Sequence, residues 1–262
     1  MTYIDVRAFV SLSLILFVLG MSACNKPSAP QSQVSNPPRS QPAPVDSAKV
    51  ASISGTVSFH GVAPKPVKID MSNDPACQGD NRSEQVVADD GHLANVLIYV
   101  KDGLGTRAFD APKQALIVKQ RGCRYAPHVA AVMVGQPVDF VDDDQTLHNI
   151  HPSPKNNPEW NQSQMPNSAP IDKTFRNPEI MMPVKCNQHP WMKMYLSVIG
   201  NPYFTVTGKD GKFSLTGLPP GTYTIAAVHE KYGEQDDNHP WAQPGEERRG
   251  VQLQGIAFGA NG

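Results

Sequence analysis

Cys186-Asn187-Gln188-His189-Pro190-Trp191-Met192, with His148-Asn149-Ile150-His151 upstream of it, decides how this chain reads. One thiolate, two imidazoles and one thioether form the ligand set of a blue-copper electron-transfer site, in which methionine sulfur is a weak axial ligand. Three of the four come from one short loop and the fourth from an earlier strand end. That separation suits a β-sandwich, where loops at one end of two packed sheets can meet. Structural zinc sites are closed by Cys and His and do not recruit thioethers. The set also leaves no open position for a substrate, so it points to copper and to electron transfer.

The residues alone leave two choices open. His148 or His151 supplies the upstream imidazole, and Met192 or Met194 the axial sulfur, the other methionine packing in the core. A lone Cys186 would read as a small buried hydrophobe, but His and Met follow it at ligand spacing. Met181 and Met182 read as strand residues and Met165 as a loop residue.

The run from Cys186 to Met192 resembles the ligand loop of amicyanin-type cupredoxins, Cys-x-x-His-Pro-aromatic-Met. In that group the upstream ligand is the first histidine of a His-Asn-Val-His segment, similar to His148-Asn149-Ile150-His151. The resemblance covers about residues 115–200 and implies His148, Cys186, His189 and Met192 as ligands of one type 1 copper ion. Plastocyanin-type loops place the methionine two positions later, at Met194, so that alternative stays open. The resemblance further implies that His189 reaches the surface as the electron port, with Pro190 and Trp191 in the docking surface. A transient redox partner is the expected counterpart. On this reading the protein is not an enzyme and no small-molecule substrate is expected. The competing functions are copper delivery, with Met181, Met182, Met192 and Met194 as thioether ligands, and a structural β-sandwich with weak metal occupancy.

The 262 residues are enough for one large or two ordinary domains, and a formal net charge of −1 gives no basic footprint for nucleic acid. Residues 1–24 read as a targeting segment. Arg7 precedes the apolar run Ala8 to Leu19, which is too short to span a bilayer. Met21-Ser22-Ala23-Cys24 resembles a bacterial lipoprotein signal, implying lipidation of Cys24 and a periplasm-facing, membrane-anchored protein. In residues 25–49, Pro27, Pro30, Pro37, Pro38, Pro42 and Pro44 stand among Ser, Gln, Ala and Asn. This composition cannot bury a core and predicts a disordered tether reaching up to about 70 Å if fully extended as polyproline II. An exported compartment permits disulfides, and the two remaining cysteines, Cys77 and Cys123, are expected to pair. The rival role for Cys123, metal binding with His128, lacks a fuller ligand set.

Short runs with β-branched residues alternate with turn signals, and no helical period stands out, so the chain is expected to be all-β. Predicted strands are 52–59, 94–100, 115–119, 130–134, 137–141, 180–186, 194–198, 203–207, 212–216 and 222–228. Gly208-Lys209-Asp210-Gly211 predicts a tight hairpin. Gly217-Leu218-Pro219-Pro220-Gly221, followed by Tyr223, resembles the turn of carboxypeptidase-regulatory-like, prealbumin-type β-sandwich modules. Ser54-Gly55-Thr56-Val57 and Ala94 to Val100 resemble strands of the same modules. The resemblance implies a module split over 50–112 and 201–262, with a Greek-key cupredoxin at 113–200 inserted in it or packed with it. His239-Pro240-Trp241 echoes the ligand loop without Cys or Met beside it, so it is not expected to bind metal. Asp142-Asp143-Asp144 reads as a solvated turn, because a calcium site would need further oxygen ligands.

Overall fold

The structure, a computed structural model, describes residues 50–235 and the backbone of 250–260. The targeting segment with Cys24, the Pro-rich stretch and His239-Pro240-Trp241 lie outside the described residues. The described chain is all-β, as expected, with no helix. In chain order the strands are β1 (Ala51–His60), β2 (Ala88–Asp89), β3 (His92–Leu93), β4 (Leu97–Asp102), β5 (Leu116–Gln120) and β6 (Tyr125–Ala126). Then follow β7 (Val129–Met133), β8 (Pro137–Asp142), β9 (His148–Pro152), β10 (Gln162–Gln164), β11 (Ile171–Thr174) and β12 (Glu179–Lys185). The last are β13 (Lys193–Ile199), β14 (Phe204–Val206), β15 (Lys212–Leu218), β16 (Thr224–His229), β17 (Gly233–Gln235) and β18 (Gly250–Ala260).

These strands form four sheets. One runs β15-β1-β3-β2, with β18 also paired to β1, and a second runs β14-β4-β16-β17. Both draw only on strands before residue 103 and after residue 203. The other two, β10-β9-β12-β13-β7 and β11-β8-β5-β6, draw only on residues 116–199. Two apolar cores follow the same division. Ile53, Val57, Phe213 and Leu215 meet Ile98, Val100 and Ile225 in one. Val118, Val138 and Phe140 meet Ile150, Val184 and Leu196 in the other.

Strand sequence records which faces are covered. On β15, Phe213 and Leu215 are buried while Lys212, Ser214 and Thr216 face solvent, the period-2 pattern of a sheet wet on one side. β4 instead buries Leu97, Ile98, Tyr99 and Val100 in succession, as a strand covered on both faces must. Its second face, Leu97 and Tyr99, joins Ile199, Ala226 and Val228 in a third apolar cluster, with Ala131, Ile180 and Met181 packed against it. This cluster joins the two pairs of sheets.

The Gly208–Gly211 segment is a tight turn, with the Gly211 N–H donating to the Gly208 carbonyl at 2.9 Å, but it is not a hairpin. β14 pairs with β4 and β15 with β1, so the turn carries the chain from one sheet to another. Gly211 is required there: its φ is +65°, and a Cβ would lie 2.4 Å from the Val57 carbonyl oxygen.

The β1–β2 connection leaves its own sheets. Met71 and Cys77 are buried in the core of the 116–199 sheets, with Ile69 packed against it. Cys77 is disulfide-bonded to Cys123, with their Cα atoms 5.5 Å apart. Asn81 Nδ2 donates to the Gly122 carbonyl at 2.5 Å, fixing the far end of this strap.

Candidate metal centre

β9 and β12 are antiparallel neighbours, with Lys185 opposite His151. The start of β9 therefore lies beside the end of β12, which brings His148 next to Cys186. The loop after Cys186 is closed by its own backbone: the Met192 N–H donates to the His189 carbonyl at 2.9 Å, and the Cys186 N–H to the Met192 carbonyl at 3.2 Å. Asn149 ties the two segments together, its Oδ1 accepting from the Asn187 N–H at 2.9 Å. Beneath them the buried Tyr125 hydroxyl donates to the Asn149 carbonyl at 2.5 Å and is 3.1 Å from the Lys185 carbonyl.

His148 Nδ1 and His189 Nδ1 are 3.0 Å apart, and Cys186 Sγ is 3.7 Å from His189 Nδ1. One ligand atom from each of these three residues lies within 4.8 Å of the others, and all three residues are buried. The outer nitrogens explain the orientation of both rings. His148 Nε2 is 2.9 Å from Asp144 Oδ2, and His189 Nε2 is 2.9 Å from Asp74 Oδ2. Each Nε2 donates to a carboxylate, which turns both Nδ1 atoms toward one point. Without metal one proton can bridge the two Nδ1 atoms at 3.0 Å, and a metal ion binding at that point would displace it. Two imidazoles and a soft sulfur around that point fit copper.

The charges are arranged to match. Burial would push the Cys186 thiol up, but the hydrogen bond from His148 and the backbone N–H groups of His189, Gln188 and Asn149 outweigh it and lower its pKa. Burial works against a charged His148, yet Asp144 and Cys186 raise its pKa to about 9. Burial also opposes the Asp144 charge, which is nevertheless favoured by His148 and the N–H groups of Cys123 and Gly122. Asp74 is lowered to about 2, first by the Thr146 hydroxyl and then by the Ala76 N–H and His189.

Of the two upstream histidines, His148 is in the cluster and His151 is not: the His151 ring bonds Asn187 Oδ1 at 3.0 Å and Glu159 at 2.7 Å. Met192 and Met194 are both buried. Met192 belongs to the closed ligand loop, whereas Met194 sits within β13 opposite Val184. Met182 packs in the core and Met181 in the joining cluster, away from the role of thioether donors. Cys123 is taken by the disulfide, and His128 bonds Glu230 and the Lys193 carbonyl.

Two expectations need correcting. His189 does not reach the surface: it is 3% exposed, because the strap carries Asp74 and the disulfide over its outer edge, with Cys77 Sγ 3.7 Å from Nε2. Pro190 is exposed and Trp191 half-buried, its ring centroid 5.1 Å from that of His189. The Asp142-Asp143-Asp144 run is not a solvated turn either. Asp142 is inward on β8 and buried, Asp143 pairs with Lys119, and Asp144 holds His148. Asp144 lies four residues before His148, a spacing visible in the sequence. Nothing local marks Asp74.

Exchanging Met192 for Gln is expected to retain copper, lower the reduction potential and alter the visible spectrum, because the axial ligand is weak and tunes the couple. Met194→Gln should leave the spectrum unchanged and destabilise the fold by burying an amide in β13. The reverse pattern would make Met194 the axial ligand. In the same series His148→Ala should lose the site and His151→Ala should keep it.

No protein-family model matches the chain, and no curated protein matches it. Among solved structures it is similar to a copper-containing nitrite reductase from Thermus scotoductus SA-01, at 22% identity over 37% of this chain and 25% of that one, with a TM-score of 0.31. It is also similar to a purple cupredoxin from Nitrosopumilus maritimus, at 19% identity over 32% and 99% of the two chains, TM-score 0.28. A mutant of amicyanin in the Cu(I) form matches at 20% identity over 32% and 82%, TM-score 0.29. The matched part spans a quarter of the nitrite reductase's length. At such TM-scores these likenesses carry no argument, and the reading of the site rests on its ligand geometry.

Proposed function

We propose that this protein is a type 1 copper protein that carries single electrons. The observation behind this reading is the convergence of His148 Nδ1, His189 Nδ1 and Cys186 Sγ at one buried point, with a carboxylate on each outer imidazole nitrogen. Copper would supply the one-electron couple. His148, His189 and Cys186 would hold the ion, Cys186 would give the covalent path into it, and Met192 would be the weak thioether ligand that tunes it. The surrounding residues keep the centre dry and fixed, which lowers the reorganisation accompanying each electron. The half-buried Trp191 and exposed Pro190 form the side from which a transient partner approaches, since His189 itself is covered.

Residues 50–112 and 201–262 form a carboxypeptidase-regulatory-like module around the cupredoxin at 113–200. Lipid on Cys24 and the Pro-rich tether hold the protein at a membrane facing the periplasm. Incorporation of labelled fatty acid into the full chain, abolished in Cys24→Ser, is the check on the anchor. Voltammetry of the copper-loaded protein separates the functions. A reversible one-electron wave is expected, whereas loss of copper on reduction would favour metal delivery.

A further inference from the structure

We propose that Asp74 is a positioning residue of the metal centre, whose carboxylate holds the Nε2 proton of His189, aims Nδ1 at the copper and favours the oxidised ion. The inference rests on the copper reading above. It concerns a residue of the β1–β2 connection, far in sequence from the ligands, so the centre is completed only by a segment outside the 116–199 sheets.

Asp74 is held from several directions. Its Oδ2 accepts from the Thr146 hydroxyl at 2.7 Å as well as from His189, and its Oδ1 accepts from the Ala76 N–H at 2.8 Å. Its carbonyl accepts from the Cys77 N–H at 2.9 Å, and Cys77 is tied to Cys123. The simpler alternative, an ordinary surface ion pair, does not suit a His189 side chain that is 4% exposed, against 22% for that of Asp74. A carboxylate accepting from the far nitrogen fixes the tautomer and raises the basicity of the ligating one. Stronger donation stabilises the more highly charged Cu(II) over Cu(I). Asp144 makes the same contact to His148, so each imidazole has its own carboxylate.

The test is the reduction potential and copper affinity of the full chain and of two variants. Asp74→Asn keeps an acceptor but loses the charge, and is expected to keep the intense absorption band while shifting the potential upward. Asp74→Ala should also shift it upward, with copper affinity reduced about 10- to 100-fold. An unmoved potential in an Asp74→Asn protein that keeps its band overturns the proposal and leaves the copper reading standing. A wild-type protein without the band overturns both. One measurement needs no variant: in the wild-type Cu(I) protein the His189 Nε2 proton should exchange slowly with solvent. Fast exchange overturns the assignment of Asp74.

Discussion

Cys186→Ser is expected to abolish the intense visible absorption of the copper-loaded protein and its electron transfer, while leaving the fold intact. In a thiolate-ligated copper centre the sulfur is the strongest donor and the source of the colour, whereas a serine hydroxyl at that position stays protonated and binds copper weakly. The fold should tolerate the change because the two side chains are nearly the same size. Cys186 lies just beyond β12, and the backbone N–H groups around its sulfur can equally serve an oxygen. Circular dichroism and absorption on the same sample give both readouts. Survival of the band in this variant would remove Cys186 from the centre.

The second large effect is on stability. Replacing Cys77 and Cys123 together with Ala opens a 46-residue loop. The chain-entropy estimate for a loop of that length is about 4 kcal/mol. The same change unpins the strap that carries Asp74, so copper-site spectra should also shift. Equilibrium denaturation of the two proteins under oxidising conditions measures the first effect. Equal stabilities would mean that the strap is held by Ile69, Met71 and Asn81 without the bridge.

Most of the strand pattern is legible because β-branched alternation between turn signals depends only on neighbours. β1, β8, β12, β13 and β16 fall close to where that pattern places them. That pattern does not mark β9, although it carries His148. His148-Asn149-Ile150-His151-Pro152 is polar and ends in proline, and only pairing with β10 and β12 makes it a strand. β2, β3, β6 and β17 are two or three residues long and exist only through their partners. The hairpin expectation failed for a related reason. An Asp-Gly turn reports local backbone geometry, while the sheet each flanking strand enters is decided by distant strands.

The centre divides in the same way. His148, Cys186 and His189, which the fold brings together, are readable because a metal site needs particular donor atoms at particular spacings, whereas spacing alone does not choose between Met192 and Met194. The groups that orient those donors carry no such constraint. Any carboxylate that reaches Nε2 will serve, and Asp74 reaches it from a loop distant in sequence. The surface port expected at His189 failed because of that same contact, made by a strap that lies outside residues 113–200.

Titration of the purified protein with Cu(II), followed by visible absorption, tests the central claim most directly. One equivalent should bind and produce an intense band that disappears on one-electron reduction and returns on oxidation. Copper bound with only weak visible absorption, or with no saturation at one equivalent, would contradict a thiolate-ligated centre built from His148, Cys186 and His189.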